Sequence, residues 1–171
     1  TFFEKIRGRL IQEFLPNDFL KMGRWMAQLH NIGEAKWAEH RATLGPSADH
    51  KWDLLDQMYD AVAVEVRTKY FDAAEKIFNA LDGKLNDHPF IRIHGDLHRG
   101  NILESPEGFV VVDFDDFVNG PAIQDVWMMM PDQNFKDSVE FNNLVKGYEE
   151  LRHFPFDQVD LIPLLRGYRM I

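Results

Sequence analysis

A polar loop between short apolar runs dominates the pattern of this 171-residue sequence. The loop occupies residues 94–101, follows the mainly apolar residues 90–93 and contains two glycines. Residues 102–112 predict a β-hairpin with the turn Ser105-Pro106-Glu107-Gly108, because turn-forming residues separate two apolar runs. Asp113 follows the second run directly. A carboxylate at the end of an apolar strand is costly unless it meets a cation, a donor or a metal. We therefore expect this segment to carry the chemistry.

Helical periodicity surrounds this β element on both sides. The apolar residues of 19–29 share one face after the start signal Pro16-Asn17-Asp18, and Gly33 ends that predicted helix. Further helices are predicted at about 52–62, 70–86, 122–130 and 135–151, with a last one from about residue 157. Residues 62–66 alternate valine with other residues, so helix and strand compete there. The predicted fold class is α+β, mainly α-helical with a small β-hairpin.

The composition excludes several kinds of partner and site. The net charge of −9, from 19 Lys+Arg against 28 Asp+Glu, disfavours a nucleic-acid backbone or an anionic membrane, since both require clustered cations. The sequence contains no cysteine, which rules out disulfides and thiolate zinc sites. No apolar run reaches the ~20 residues that span a bilayer, and charged residues interrupt the apolar ones in 1–9. We therefore expect a cytoplasmic protein with no nucleic-acid or membrane partner.

The spacing of three oxygen-bearing side chains matches what phosphoryl transfer from ATP requires. That reaction needs a carboxylate that receives or orients the proton of the attacking hydroxyl, and hard oxygen ligands that hold Mg²⁺ against the triphosphate. In protein kinases the catalytic Asp and a magnesium-binding Asn lie about five residues apart on one loop, and a second Asp follows on the next hairpin. Here Asp96 and Asn101 are five residues apart, and Asp113 lies twelve residues further on.

These motifs resemble those of a known family. His94-Gly95-Asp96-Leu97-His98-Arg99-Gly100-Asn101 and Asp113-Phe114-Asp115 are similar to the catalytic loop and metal motif of aminoglycoside-phosphotransferase-like kinases, which include choline-kinase-like and type II homoserine kinases. Within that superfamily, residues 119–129 resemble the bacterial stress response kinase A group, whose members are regarded as Ser/Thr protein kinases. Residues 23–30 are similar to the first helix of the large lobe in this family. The resemblance implies a protein-kinase-like fold and an ATP-dependent transferase.

The resemblance implies a role for each matching residue. Asp96 would be the catalytic base or the group that orients the hydroxyl, and Asn101 and Asp113 would be Mg²⁺ ligands. His98 stands where eukaryotic protein kinases place a phosphate-contacting Lys, so we expect it to contact the transferring phosphate as a second catalytic residue. Asp115 is expected to assist the metal site. The implied cofactors are ATP and Mg²⁺.

The resemblance also implies how the chain is divided. Residues 1–8 are expected to be a hinge segment from a missing N-terminal lobe, with Phe3, Glu4 and Lys5 meeting the adenine. Residues 9–171 are expected to be the kinase-like C-terminal lobe, truncated at its C-terminal end, with the hairpin carrying the catalytic and metal loops. The sequence has no glycine-rich phosphate loop and no strand lysine, which the family places in the smaller lobe. By itself this lobe is expected to bind nucleotide weakly at best.

Alternatives remain open at this point. The resemblance favours a protein Ser/Thr acceptor over a small molecule such as an aminoglycoside, choline or homoserine. A second alternative is a metal-dependent hydrolase that uses His94, Asp96 and His98, because imidazole and carboxylate groups suit transition metals. A third is a kinase-like scaffold without catalysis. Under the kinase hypothesis, His94 is expected to be a structural histidine, and Asp125 a structural carboxylate that ties the loop to a helix.

Overall fold

The structure is a computed structural model that describes residues 7–11, 13–48, 50–130 and 134–171. These residues form six α-helices and five β-strands, which confirms the predicted α+β class. The helices are α1 (Pro16–Glu34), α2 (Lys51–Gln57), α3 (Val64–Leu85), α4 (Ile123–Met129), α5 (Val139–Glu149) and α6 (Ile162–Met170). The strands are β1 (Arg9–Leu10), β2 (Ile91–Ile93), β3 (Ile102–Ser105), β4 (Gly108–Val111) and β5 (Val118–Gly120). Within the described ranges, no helix has the length and apolarity required to cross a membrane.

The chain divides into two compact units, of which the first comprises Thr1–Asn31, His94–Phe117 and Asp125–Phe154. Its antiparallel sheet has the strand order β1-β3-β4. The predicted hairpin is confirmed, because β3 pairs with β4 from Ile102 opposite Val111 to Ser105 opposite Gly108. Strand β1, which the sequence pattern did not reveal, adds Arg9 opposite Glu104. The apolar face of α1 and residues of α5 form the buried core, which includes Phe19, Met22, Met26, Leu144 and Tyr148.

Glycines allow the backbones of helices α1 and α5 to lie in direct contact. A Cβ atom on Gly23 of α1 would lie 2.0 Å from the carbonyl oxygen of Leu144. Reciprocally, a Cβ atom on Gly147 of α5 would lie 2.0 Å from the carbonyl oxygen of Leu20. Real Cβ atoms do not come this close to other heavy atoms, because interiors are packed to van der Waals contact. The crossing therefore requires glycine at both positions.

The second unit comprises Ile32–Ile93, Val118–Gln124 and Pro155–Ile171. Its two-stranded antiparallel sheet pairs β2 with β5, from Ile91 opposite Gly120 to Ile93 opposite Val118. Helix α3 packs through Phe78, whose ring lies 5.0 Å from Trp52 and 5.8 Å from Tyr168 on α6. These aromatic contacts and the buried aliphatic residues of α3 and α6 form the core of this unit.

Several predicted boundaries are wrong, each for a local reason. Helix α3 begins at Val64 rather than near residue 70, so the alternating valines belong partly to a helix. The helix predicted at 135–151 begins only at Val139, because the Ser138 hydroxyl accepts a hydrogen bond of 3.1 Å from the Phe141 N–H and caps it. The last helix begins at Ile162, after a 3-10 segment that starts at Phe156. Tertiary pairing and capping, which apolar periodicity does not report, set these limits.

Candidate active site

One buried carboxylate holds the start of the loop between β2 and β3. Asp125 on α4 is fully buried, and its Oδ2 and Oδ1 atoms accept hydrogen bonds of 2.9 Å from the backbone N–H groups of His94 and Gly95. Gly95 has a φ of 85°, a left-handed conformation that suits glycine. The prediction that Asp125 ties the loop to a helix is confirmed. Two charge-assisted hydrogen bonds thus fix the backbone immediately before Asp96.

A buried histidine supplies a third partner to the same carboxylate. Nε2 of His30 lies 3.1 Å from Oδ2 of Asp125, and Nδ1 lies 2.8 Å from the hydroxyl of Tyr148. The side chains of all three residues are fully buried. Sequence analysis assigned no role to His30 or Tyr148. The available signal was position, because His30 follows Met22 and Met26 at intervals of four residues on the buried face of α1.

His94 is a structural histidine, as predicted. Its Nε2 donates to the carbonyl oxygen of Val112 at 3.0 Å, which leaves Nδ1 to accept from the N–H of Asp96 at 3.3 Å. The buried ring also packs against Phe114, with ring centroids 4.6 Å apart. Because both ring nitrogens are bound to backbone groups, His94 has no lone pair to offer a metal. This geometry counts against the hydrolase alternative.

Asn101 links the loop to the end of strand β4. Its side-chain Nδ2 donates to the carbonyl oxygen of Asp96 at 3.0 Å, and its backbone carbonyl accepts from the N–H of Val112 at 2.9 Å. Asp113 is the next residue of the chain. The structure therefore brings Asp96, Asn101 and the residue before Asp113 into one hydrogen-bonded group. Because the side-chain nitrogen of Asn101 donates to the Asp96 carbonyl, its amide oxygen is the atom suited to a metal.

His98 faces the carboxylate of Asp96. Its Nδ1 accepts a hydrogen bond of 3.0 Å from the N–H of Gly100, so the proton of the neutral ring sits on Nε2. Nε2 lies 3.6 Å from Oδ2 of Asp96, and the side chains are 43% and 18% exposed, respectively. A Cβ atom at Gly100 would lie 2.8 Å from the His98 ring, so a larger residue there would displace the ring from this position. Asp96 and His98 are thus adjacent and accessible from solvent.

Asp113 holds a strained backbone conformation. It is one of two described non-glycine residues with positive φ, at φ 65° and ψ 58°. This conformation costs an L-residue about 1–2 kcal/mol, and such costs concentrate at functional sites. Asp113, Asp115 and Asp116 are all exposed.

The loop and the segment after β4 offer oxygen atoms that suit a divalent metal ion. In the described residues, no group of three or more His, Asp or Glu side chains forms a ready-made metal cage. Mg²⁺ in phosphate-transferring sites uses one or two carboxylates together with substrate phosphates rather than an all-protein cage. The amide oxygen of Asn101 and the exposed carboxylate of Asp113 fit that requirement. Phe3, Glu4 and Lys5, predicted to meet adenine, lie outside the described residues.

Comparisons with known proteins agree on one family. The sequence profile described as "Phosphotransferase enzyme family" matches residues 3–160. The stress response kinase A of Shigella flexneri is 28% identical over 172 residues, which cover 99% of this chain and 52% of the relative. The Salmonella typhimurium protein named "Serine/threonine protein kinase RdoA" shows the same identity and coverage. The chain therefore spans about half the length of the curated relatives it matches.

Solved structures share the fold at lower sequence identity. An amicoumacin kinase in complex with AMP-PNP and Ca²⁺ superposes with a TM-score of 0.71 at 18% identity, over 97% of this chain and 53% of that one. The choline kinase LicA from Streptococcus pneumoniae superposes with a TM-score of 0.66 at 16% identity, over 88% of this chain and 52% of that one. The predicted kinase-like fold is thereby confirmed.

Proposed function

The chain belongs to the phosphotransferase enzyme family, and on that basis we propose that it carries the catalytic and metal-binding groups of an ATP-dependent kinase. One observation carries the proposal: Asn101 joins the Asp96 carbonyl to the strand end that leads into Asp113. Two of the three residues with the types and order of a kinase site thus belong to one hydrogen-bonded group, and the third, Asp113, directly follows Val112, whose N–H the group binds. Residues 9–171 would form the C-terminal lobe and residues 1–8 the hinge segment. The remaining half of the longer relatives would supply the nucleotide clamp.

Asp96 and His98 would act on the reacting groups. The Asp96 carboxylate would accept or orient the proton of the acceptor hydroxyl, which increases the nucleophilicity of its oxygen. The neutral His98 ring carries its proton on Nε2, the nitrogen that lies beside the Asp96 carboxylate. Because the reacting groups would meet at Asp96, this N–H would donate to an oxygen of the transferring phosphoryl group. Rigid attachment of the loop to Asp125 would keep both groups in place, and positioning dominates catalysis of phosphoryl transfer.

Asn101 and Asp113 would hold the metal ion, with Asp115 beside them. When bound, Mg²⁺ would supply neutralisation of the charge on the β- and γ-phosphates. Support for a divalent ion and ATP comes from the structural similarity to the amicoumacin kinase, whose structure contains AMP-PNP and Ca²⁺. The strained backbone of Asp113 supports a functional role, because glycine would adopt this positive φ without strain and yet the position holds an aspartate. We place the enzyme in the cytoplasm, where ATP is available.

We assign a protein Ser or Thr side chain as the acceptor. Support comes from relatives named stress response kinase A and Ser/Thr protein kinase, which are 28% identical over 99% of this chain. A small-molecule acceptor is the second candidate, because the structural neighbours include amicoumacin and choline kinases. The net charge of −9 favours a cationic molecule in that case. A screen of the intact enzyme with labelled ATP, against a protein lysate and a panel of amino alcohols, distinguishes the two.

The catalytic assignment is tested with three variants of the intact protein. Asp96→Asn should leave ATP affinity within about threefold but lower kcat by about a thousandfold, because the proton acceptor is lost. Asp113→Ala should raise the Mg²⁺ concentration needed for half-maximal rate by about tenfold or more. Asp116→Ala is the matched control, since it removes an exposed carboxylate three residues away and should change neither quantity.

Two results would contradict the assignment. A near-normal kcat in Asp96→Asn would exclude Asp96 as the group that handles the proton. An unchanged Mg²⁺ dependence in Asp113→Ala would exclude Asp113 as a metal ligand. Tight zinc retention by the wild-type protein, without ATP binding, would instead support the hydrolase alternative.

A further inference from the structure

A buried hydroxyl lies at the far end of the polar groups behind the catalytic loop. The Tyr148 hydroxyl on α5 lies 2.8 Å from Nδ1 of His30 on α1, and both side chains are fully buried. Nε2 of the same ring lies 3.1 Å from Oδ2 of Asp125. Buried polar groups are almost always hydrogen-bonded, so these contacts define a continuous path from Tyr148 to the loop backbone. The proposed reaction assigns no role to Tyr148.

The chemistry of the groups gives this path a direction. The Asp125 carboxylate already accepts hydrogen bonds from the N–H groups of His94 and Gly95, and it accepts a third from Nε2–H of His30. A neutral imidazole with its proton on Nε2 has a lone pair on Nδ1, to which the Tyr148 hydroxyl donates. The other tautomer would point the Nε2 lone pair at a carboxylate oxygen, which is repulsive. The carboxylate at Nε2 and the hydroxyl donor at Nδ1 therefore favour the same tautomer.

We propose that Tyr148 is a positioning residue of the active site. Its hydroxyl anchors the His30 ring at Nδ1, and His30 holds Asp125 in the orientation that fixes the loop backbone. Asp96 is the residue after the two N–H groups that Asp125 binds, so a tilt of the Asp125 carboxylate displaces it. The inference rests on the proposed kinase function. Tyr148 influences the reaction through His30 and Asp125.

The variant Tyr148→Phe removes the hydroxyl and retains the ring, which packs 5.5 Å from Phe154. In the intact enzyme we expect kcat to fall by about tenfold, because small displacements of catalytic groups are costly, while KM for ATP stays within about twofold. Nitrogen-15 NMR of the His30 ring should show a shifted Nδ1 signal, because the Nδ1 lone pair loses its hydroxyl donor. Tyr70→Phe is the matched control, since that hydroxyl donates to the Ile171 carbonyl in the other unit and should change neither readout.

A double-variant cycle tests whether the effect passes through His30. If it does, adding Tyr148→Phe to His30→Gln should lower kcat by less than about twofold, because coupled residues are not additive. A full tenfold loss in that background, or a wild-type kcat in Tyr148→Phe alone, overturns the proposal. If His30→Gln does not fold, unchanged His30 signals in Tyr148→Phe overturn it. If the wild-type protein transfers no phosphoryl group, the proposed function fails, and the ring signals alone decide the assignment of the hydroxyl.

Discussion

The close approach of α1 and α5 can be tested quantitatively, because a substitution at the crossing should lower the stability of the packing that supports the site. The substitution Gly23→Ala places a Cβ atom 2.0 Å from the Leu144 carbonyl oxygen and 2.8 Å from the Tyr148 nitrogen, both of them backbone atoms. Ordinary contact begins near 3.4 Å, so the helices must separate by about 1.4 Å at this point. No flexible side chain is available to absorb the overlap. The two helices that carry His30 and Tyr148 would therefore move apart.

The expected free-energy change follows from two opposing terms. Overpacking against backbone costs about 3 kcal/mol, the upper part of the usual range. Alanine in place of glycine in a helix returns about 1 kcal/mol. The net destabilisation is about 2 kcal/mol, which lowers Tm by about 4–8 °C for a domain of this size. Because His30 and Tyr148 lie on the separated helices, kcat should also fall.

Calorimetry of the intact protein measures this shift against a matched control. Gly83→Ala in α3 meets no atom within 4 Å and lies on an exposed position. That substitution should raise stability by about 0.5–1 kcal/mol through helix propensity alone. Gly147→Ala should resemble Gly23→Ala, and the double variant should lose less than the sum, because the first substitution has already separated the helices. A Gly23→Ala protein with a Tm at or above that of wild type would refute the reasoning.

Two further predictions concern backbone strain and pH. At Asp113, whose φ is 65°, Asp113→Gly should be more stable than Asp113→Ala by about 1 kcal/mol, the reverse of the usual order, because glycine adopts left-handed φ without strain. Equal or opposite stabilities on thermal unfolding would contradict the strain. Arg24 donates to the Glu150 carboxylate at 2.8 Å, and this hydrogen bond lowers the pKa of Glu150. The stabilisation is present above the ordinary Glu pKa of about 4.3 and is lost as pH falls through the lowered pKa, so the Tm difference between wild type and Glu150→Gln should vanish in acid. A difference that stays constant from neutral pH to about pH 3 would contradict this linkage.

The candidate active site combines a rigid support with a strained residue. Asp125 and its buried partners hold the loop that carries Asp96, and Asn101 connects that loop to β4. Asp113, two residues after the end of β4, stays in an unfavourable conformation. Strain of this kind persists only where surrounding structure over-determines the backbone. Val112 donates its N–H to the Asn101 carbonyl and accepts from His94 at its own carbonyl, and these hydrogen bonds supply that constraint directly before Asp113.

Local pattern was sufficient to predict the hairpin and most helices. The turn at residues 105–108 lies between two mainly apolar runs, and β3 and β4 pair as predicted. Apolar residues at helical spacing located α1 and α4 within about two residues. Residue type and spacing also predicted that Asp96, Asn101 and Asp113 form one group, because ligand chemistry restricts which side chains serve a metal and a triphosphate. The structure joins Asn101 to Asp96 and to the residue before Asp113.

Only the tertiary structure revealed the strand pairings and buried contacts that support Asp96, Asn101 and Asp113. Strands β1 and β5 contain two and three residues, and strands this short acquire their identity from the partner they bond to rather than from their own sequence. Tyr148 meets His30 across 118 positions of the chain, and no local pattern encodes such a meeting. Local sequence sets which conformations a segment prefers, whereas buried hydrogen bonds between distant segments depend on the packing that brings the two partners together and removes water from them.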